Sequence, residues 1–273
     1  MVYPTIKIES DRARRATNLR ELWNFRELLI LLAWRDIRVR YKQTLLGASW
    51  AILQPFLTMV VFSVLFGRFA RLPSEGLPYP IFVYAGLLPW IFFQSVVTVS
   101  SNSLVDNAGL ITKVYFPRMI LPGATVLAGL VDFSIASTIM FAMMAFYRVW
   151  PRIEILLLPM LIGLLVMTAF AAGLWLSALN LKYRDVRHAV PFMMQVWLYL
   201  TPVIYPVTLL PPRWRWILAL NPLCGTVESF RATLLGKLIP WQALGISATV
   251  ALALLWYAAR LFGRLERDFA DIV

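Results

Sequence analysis

The sequence predicts an all-α membrane protein of six transmembrane helices, and three observations predict it. Residues 43–67, 76–105, 119–147, 155–181, 189–212 and 238–259 carry no charge apart from Asp132. A helix rising about 1.5 Å per residue needs roughly 20 apolar residues to cross about 30 Å of hydrocarbon, and each run has that length. Hydrophobic residues make up 60% of the 273, and charged ones only 15%, a balance without a soluble explanation at this size. In lipid the backbone must satisfy its own hydrogen bonds, which turns each run into a helix.

The charge distribution orients the bundle. Eighteen of the 26 Lys and Arg fall in the segment before the first run, in the loops after the second and fourth, and in the tail. The remaining loops share eight. The positive-inside bias therefore predicts that both termini are cytoplasmic. The net charge of +12 is read as contact with anionic membrane lipids rather than with nucleic acid, since no basic face stands apart from the spans. The polar, basic start lacks the apolar core of a cleavable signal, so the first span is expected to be its own insertion signal.

The chain divides into a cytoplasmic segment 1–42, a six-span domain 43–262 and a cytoplasmic tail 263–273. Residues 1–18 are polar and expected to be loosely ordered. From Leu19 to Lys42, Leu22, Phe25, Leu29 and Leu32 recur at helical steps while Arg35, Arg38 and Lys42 take another side. That pattern predicts a basic amphipathic helix in the interface, either a positive anchor or a docking surface. Span two begins apolar and ends in Gln94, Ser95, Thr98, Ser100, Ser101, Asn102 and Ser103. That half is expected to face other helices or a wet path. Asp106 or Asn107 is expected to cap a short cytoplasmic helix at about 106–117, closed by Pro117. It projects Leu110, Ile111, Val114, Tyr115 and Phe116, much apolar surface for a solvated loop, which suggests a partner's groove.

Asp132 is the one acidic residue within a span, with no obvious cationic partner in another span. A structural hydrogen-bonded role, a polar path and proton coupling all remain open readings. Ala169, Gly173 and Ser177 form a small-residue ladder that allows close helix approach. Between spans five and six, 206–237 holds four prolines, Trp214, Trp216 and the charges Arg213, Arg215, Glu228 and Arg231. Its pieces are too short or too polar to span, and are expected to re-enter the outer face against protein or a cavity.

Catalytic signatures are missing. The sequence has no phosphate-binding G-x-x-x-x-G-K-[ST], no H-E-x-x-H and no Cys/His metal spacing. The lone Cys224 excludes an intramolecular disulfide. No close carboxylate pair offers acid–base chemistry. The chain is therefore not expected to be an enzyme by itself, and any ATP-driven work needs a second polypeptide.

Several ordered stretches carry a resemblance. They are Leu32–Lys42, Leu46–Pro55, Ala85–Trp90, Leu110–Pro117, Tyr183–Asp185, Thr201–Pro206, Leu220–Pro222 and Glu228–Ala232. From about residue 20 onward the chain resembles the membrane subunits of polysaccharide-exporting ABC transporters of the Wzm, TagG and KpsM types, most of all the O-antigen branch. The resemblance implies a homodimer forming a channel in the bacterial inner membrane. Two copies of a separate ABC ATPase would bind ATP and Mg, with no cofactor on this chain, and the substrate would be a lipid-linked polysaccharide. Asn107, Leu110, Ile111, Lys113, Tyr115 and Phe116, with Arg35 and Arg38 of the amphipathic helix, would meet the ATPase. Candidate channel aromatics are Phe56, Phe62, Tyr84, Trp90, Phe93, Trp197 and Tyr199, whose faces can stack on sugar rings. Arg213, Trp214, Trp216, Glu228 and Arg231 would belong to outer gate helices. The alternatives are an exporter of a lipid or small hydrophobic molecule, a membrane-embedded transferase, and a proton-driven carrier relying on Asp132.

Overall fold

The computed structural model describes residues 19–42, 47 and 49–265. The expectation for 1–18 and that for the end of the tail, 266–273, lie outside them. Every regular element among the described residues is helical. Two helices lead in, α1 (Leu19–Asn24) and α2 (Arg26–Lys42). Then come α3 (Ser49–Phe62), continued by a π-helical stretch Ser63–Phe69, and α4 (Tyr79–Asp106). A single helical turn, α5 (Ala108–Ile111), precedes α6 (Ile120–Phe146). A 3-10 turn (Ile153–Leu157) runs into α7 (Leu158–Lys182), followed by α8 (Val186–Leu200). The last three are α9 (Pro212–Ala219), α10 (Cys224–Leu235) and α11 (Trp241–Leu265).

Five of these helices are long and apolar enough to cross a membrane: Ser49–Phe69, Tyr79–Asp106, Ile120–Phe146, Ile153–Lys182 and Trp241–Leu265. The chain is a multi-pass membrane protein. The run 189–212 departs from expectation. Its helix stops at Leu200, about 22 Å long at 1.5 Å per residue and short of a full crossing. Proline is the cause: Pro202 disfavours helical geometry at the residue before it, and Thr201 is extended (φ −104°, ψ 137°). Counting charges sees none of this.

Burial separates the helices by role. α4 is the hub, with 78% of its apolar window buried, whereas the helix beginning at Ser49 has 11%. α4 packs most extensively on α6 and α7. The small-residue ladder lies in the second of these seams: Ala169, Gly173 and Ser177 are all buried. A Cβ on Gly173 would stand 2.6 Å from the Ser100 side chain, so only glycine permits that approach. Aromatic rings fill the centre, with Phe92 edge-on to Phe133 and Phe133 edge-on to Phe230.

Candidate functional site

At one end of the bundle the loop between α4 and α6 is clasped by α2. The expected helix over 106–117 is only the four-residue α5, and Asn107 makes no side-chain cap. Its carboxamide serves elsewhere. Nδ2 donates to the Ser103 carbonyl at 2.8 Å, and Oδ1 accepts from Arg35 Nη1 at 2.9 Å. Arg35 also bonds the Asp36 carboxylate, and Arg38 stacks over Trp34. The apolar surface expected of the loop is divided. Phe116 is buried with Leu32, Ala33, Met119 and Phe262, and Leu110 and Ile111 pack partly on that cluster. Tyr115 is 82% exposed, with Val114 and Lys113 exposed beside it. Phe116 therefore anchors the loop to its own protein, and the free face narrows to Lys113–Tyr115.

The far end of α2 reaches into the bundle. Arg40 forms an ion pair with Asp132, and the Tyr41 hydroxyl donates to the same carboxylate. Burial, then the Asp132 contact, raises the Tyr41 phenol above its usual range, so it stays a donor. Asp132 thus has the cationic partner that the sequence hid, because Arg40 lies before the spans rather than within one. The neighbours Ser134 and Thr138 bond their own helix carbonyls instead.

The opposite end is held by a buried cation. Arg231 is 4% exposed and was expected at a gate. Its Nη2 donates to the carbonyls of Pro202 (3.0 Å) and Val203 (2.8 Å), and its Nε to that of Phe82 (3.3 Å). The guanidinium carbon also lies 3.9 Å from the centre of the Phe82 ring. Gly86 leaves the room, since a Cβ there would come within 2.6 Å of Arg231 Nη2. Arg231 therefore locks the broken strand of chain after α8 onto the start of α4. Asn221 adds a stitch, accepting from Trp197 Nε1 (3.1 Å) and donating to Thr201 Oγ1 (2.9 Å). Glu228 accepts from the Val207 amide; burial pushes its carboxyl above the ordinary range while Arg231 pulls it back. Trp214 and Trp216 on α9 are exposed, with Arg213 stacked over Trp214.

The seven channel aromatics sort into two groups. Tyr84, Trp90 and Phe93 are sealed inside the bundle. Tyr84 donates to the Ala136 carbonyl and Trp90 to Gln94 Oε1, and Phe93 packs edge-on against the partly buried Trp197. Completely enclosed rings line no path, which corrects the expectation for these three. Phe56 and Tyr199 are exposed, and Phe62 is half-buried against Phe66.

Among the described residues no group of His, Cys, Asp and Glu could hold a metal ion. What stands out is a polytopic membrane protein with a clasped loop between α4 and α6 and two apolar helices, α3 and α8, that bury little of themselves. The sequence matches the ABC-2 type transporter family over residues 27–235, and the chain belongs to that family. It is 32% identical over 259 residues to the O-antigen export system permease protein RfbA of Myxococcus xanthus, covering 93% of this chain and 98% of that protein. The RfbA permease of Klebsiella pneumoniae is 28% identical over 249 residues, covering 90% and 95%. The polysialic acid transport protein KpsM of Escherichia coli is 24% identical over 240 residues, covering 85% and 91%.

Proposed function

We propose that this chain is the membrane subunit of an ATP-driven exporter moving a lipid-linked polysaccharide of the O-antigen kind across the bacterial inner membrane. Two copies form the channel and two copies of a separate ABC ATPase drive it. The observation that carries this reading is coverage: similarity to O-antigen export permeases runs through almost the whole of both chains. Both termini are cytoplasmic in this reading. α8 enters from the inner side, and the chain turns back at the outer face as the re-entrant pair α9 and α10 before α11 returns.

The ATPase docks on Lys113–Tyr115 and the exposed Arg35 and Arg38. Its motion passes through the Arg35–Asn107 bond into α2 and through Arg40–Asp132 into α6. A polymer too long for a closed cavity needs a continuous path with weak repeated contacts, since conduction requires binding that still permits release. Phe56, Phe62 and Tyr199, on the two helices that bury least, are the ring faces available to such a path once two copies meet.

Deleting the gene and analysing surface glycan tests the substrate. Loss of the surface polymer with accumulation inside the cell is the expected result, and unchanged surface glycan would refute the proposal. Tyr115→Asp tests the docking face. With 82% of Tyr115 exposed, the variant is expected to fold normally, lose the ATPase on co-purification and export at a tenth of the rate or less, a shift of about 1.4 kcal/mol or more.

A further inference from the structure

A cleft of about 280 Å³ opens between α3, α4 and α6, lined by Gln54, Gln94, Ser95, Thr98, Asp132 and Phe133 among others. Hydroxyls on these helices commonly turn back to a carbonyl three or four residues earlier, as those of Ser101, Ser103, Ser134, Ser137 and Thr168 do. Ser95 and Thr98 differ. Among the described residues their hydroxyls have no partner, nor do the Gln54 carboxamide and the Gln94 NH2 group, although Gln94 Oε1 accepts from Trp90. Three unpaired polar side chains and the free NH2 group of a fourth converge on one space.

Helix lengths give its depth. Gln94 to Thr98 lie about 2–8 Å past the middle of the 28-residue α4, and Asp132 about 2 Å from the middle of the 27-residue α6, at 1.5 Å per residue. A core about 30 Å thick centred on these helices puts the cleft near mid-depth, on the side of the α4–α6 loop. Unpaired amides and hydroxyls in hydrocarbon are costly, so the cleft is shaped for something polar. Its donors and acceptors are neutral, and Asp132 is already matched by Arg40. A phosphate would meet a carboxylate and no spare cation; a hydroxyl-bearing ring would meet matching amides and hydroxyls. Phe92 and Phe133, edge-on with centroids 5.6 Å apart, supply an apolar wall for the C–H face of such a ring. The volume is at the low end of ordinary ligand pockets, room for one sugar ring rather than a chain.

We propose that this cleft is a saccharide subsite partway along the export path, in which Gln54, Gln94, Ser95 and Thr98 hold one sugar ring against Phe133. The proposal rests on the export reading above and assigns that substrate a place. The protein is convenient for testing it. Its one cysteine, Cys224, is 2% exposed, and burial, then Glu228, pushes the thiol up to about 12, silencing it toward aqueous reagents.

Ser95→Cys and Thr98→Cys are made in the complete transporter with its ATPase. Everted membrane vesicles are prepared from cells that make the glycan and from cells blocked in its synthesis, and both are treated with a membrane-impermeant maleimide. Both variants are expected to label without glycan. With glycan present they label about five-fold more slowly, as mass action gives for a ligand at about four times its dissociation constant. Glu27→Cys on the exposed side of α2 is expected to label equally in both. Equal rates at positions 95 and 98 in both vesicle types, or no labelling in either, overturn the subsite. If gene deletion still abolishes surface glycan in those cases, the export reading stands without it. If deletion leaves surface glycan unchanged, both fail.

Discussion

Two arginines enter this bundle from opposite ends, and they are held differently. Arg231 is wholly buried and divides its guanidinium among three backbone carbonyls and an aromatic ring. Arg40, at the other end, meets one carboxylate on another helix, with about a third of its side chain and a quarter of that of Asp132 still accessible. Arg231 meets two carbonyls, of Pro202 and Val203, to which no backbone amide donates among the described residues, because the prolines after α8 interrupt the helix. Arg40 joins two helices that are each complete without it. A lock and a link are thus made from the same side chain. The first serves the fold, and the second can open and close between states.

The comparison fails first, and most visibly, at Arg231. Arg231→Met removes the side-chain donor from three enclosed carbonyls, of which those of Pro202 and Val203 have no backbone donor among the described residues, and is expected to cost about 3–5 kcal/mol, the range for breaking a buried charged network. Thermal unfolding in mild detergent, followed by the fraction remaining monodisperse, reads the loss. Arg231→Lys is expected to recover little, because one ammonium lacks the planar fork that reaches several carbonyls at once. A midpoint unchanged in both variants would show that those carbonyls find other partners and that no lock exists.

The link behaves otherwise. Asp132→Arg or Arg40→Asp alone is expected to leave the protein folded in detergent while export falls about ten-fold or more, near 1.4 kcal/mol of transmitted free energy. The exchanged pair, Arg40→Asp with Asp132→Arg, restores part of it, since the coupling belongs to the contact and not to either site. If Asp132→Asn abolished export while the exchanged pair did no better than the single variants, the carboxylate would be acting on protons rather than on α2, which is the carrier reading in its testable form.

These two sites also show what the sequence makes legible. The five long helices follow from charge-free length alone, and α4 and α6 begin and end within a few residues of the expected runs. The breakup of 206–237 into the short helices α9 and α10 is legible from its prolines. The short α8 is not, because 189–212 looks as apolar as any span and only Pro202 marks the break. Arg231 reads as a gate residue until the Gly86 gap, 145 residues earlier, and the carbonyls of Pro202 and Val203, fewer than thirty residues earlier, converge on it. Asp132 looks unpartnered because span-to-span pairing is the natural search, and Arg40 sits on a helix classed as interfacial. Phe116 and Tyr115 are adjacent and alike in sequence, yet their exposure is 4% and 82%. Periodicity cannot separate them once α5 ends after one turn.

A third charge pair sharpens the distinction by having the smallest effect. Lys237 Nζ lies 2.8 Å from Glu75 Oε2 and also donates to the Glu75 carbonyl at 2.7 Å, tying the end of α10 to the turn before α4. Side-chain exposure is 29% and 31%, close to that of the Arg40–Asp132 pair. Accessible area alone would rank the two together. Their surroundings differ, because Glu75 and Lys237 lie outside the five apolar helices, where water and salt screen them, whereas Asp132 is twelve residues into α6. Coulomb energy scales inversely with the local dielectric, so Lys237→Ala is expected to change the unfolding midpoint by no more than an exposed pair contributes, about 0–1 kcal/mol. What little effect it has should vanish in 1 M salt, where the screening length falls to about 3 Å. The functional loss in Arg40→Asp should persist there. If the two variants respond to salt alike, the Asp132 environment is aqueous, and Arg40 is a surface charge rather than a link through the membrane.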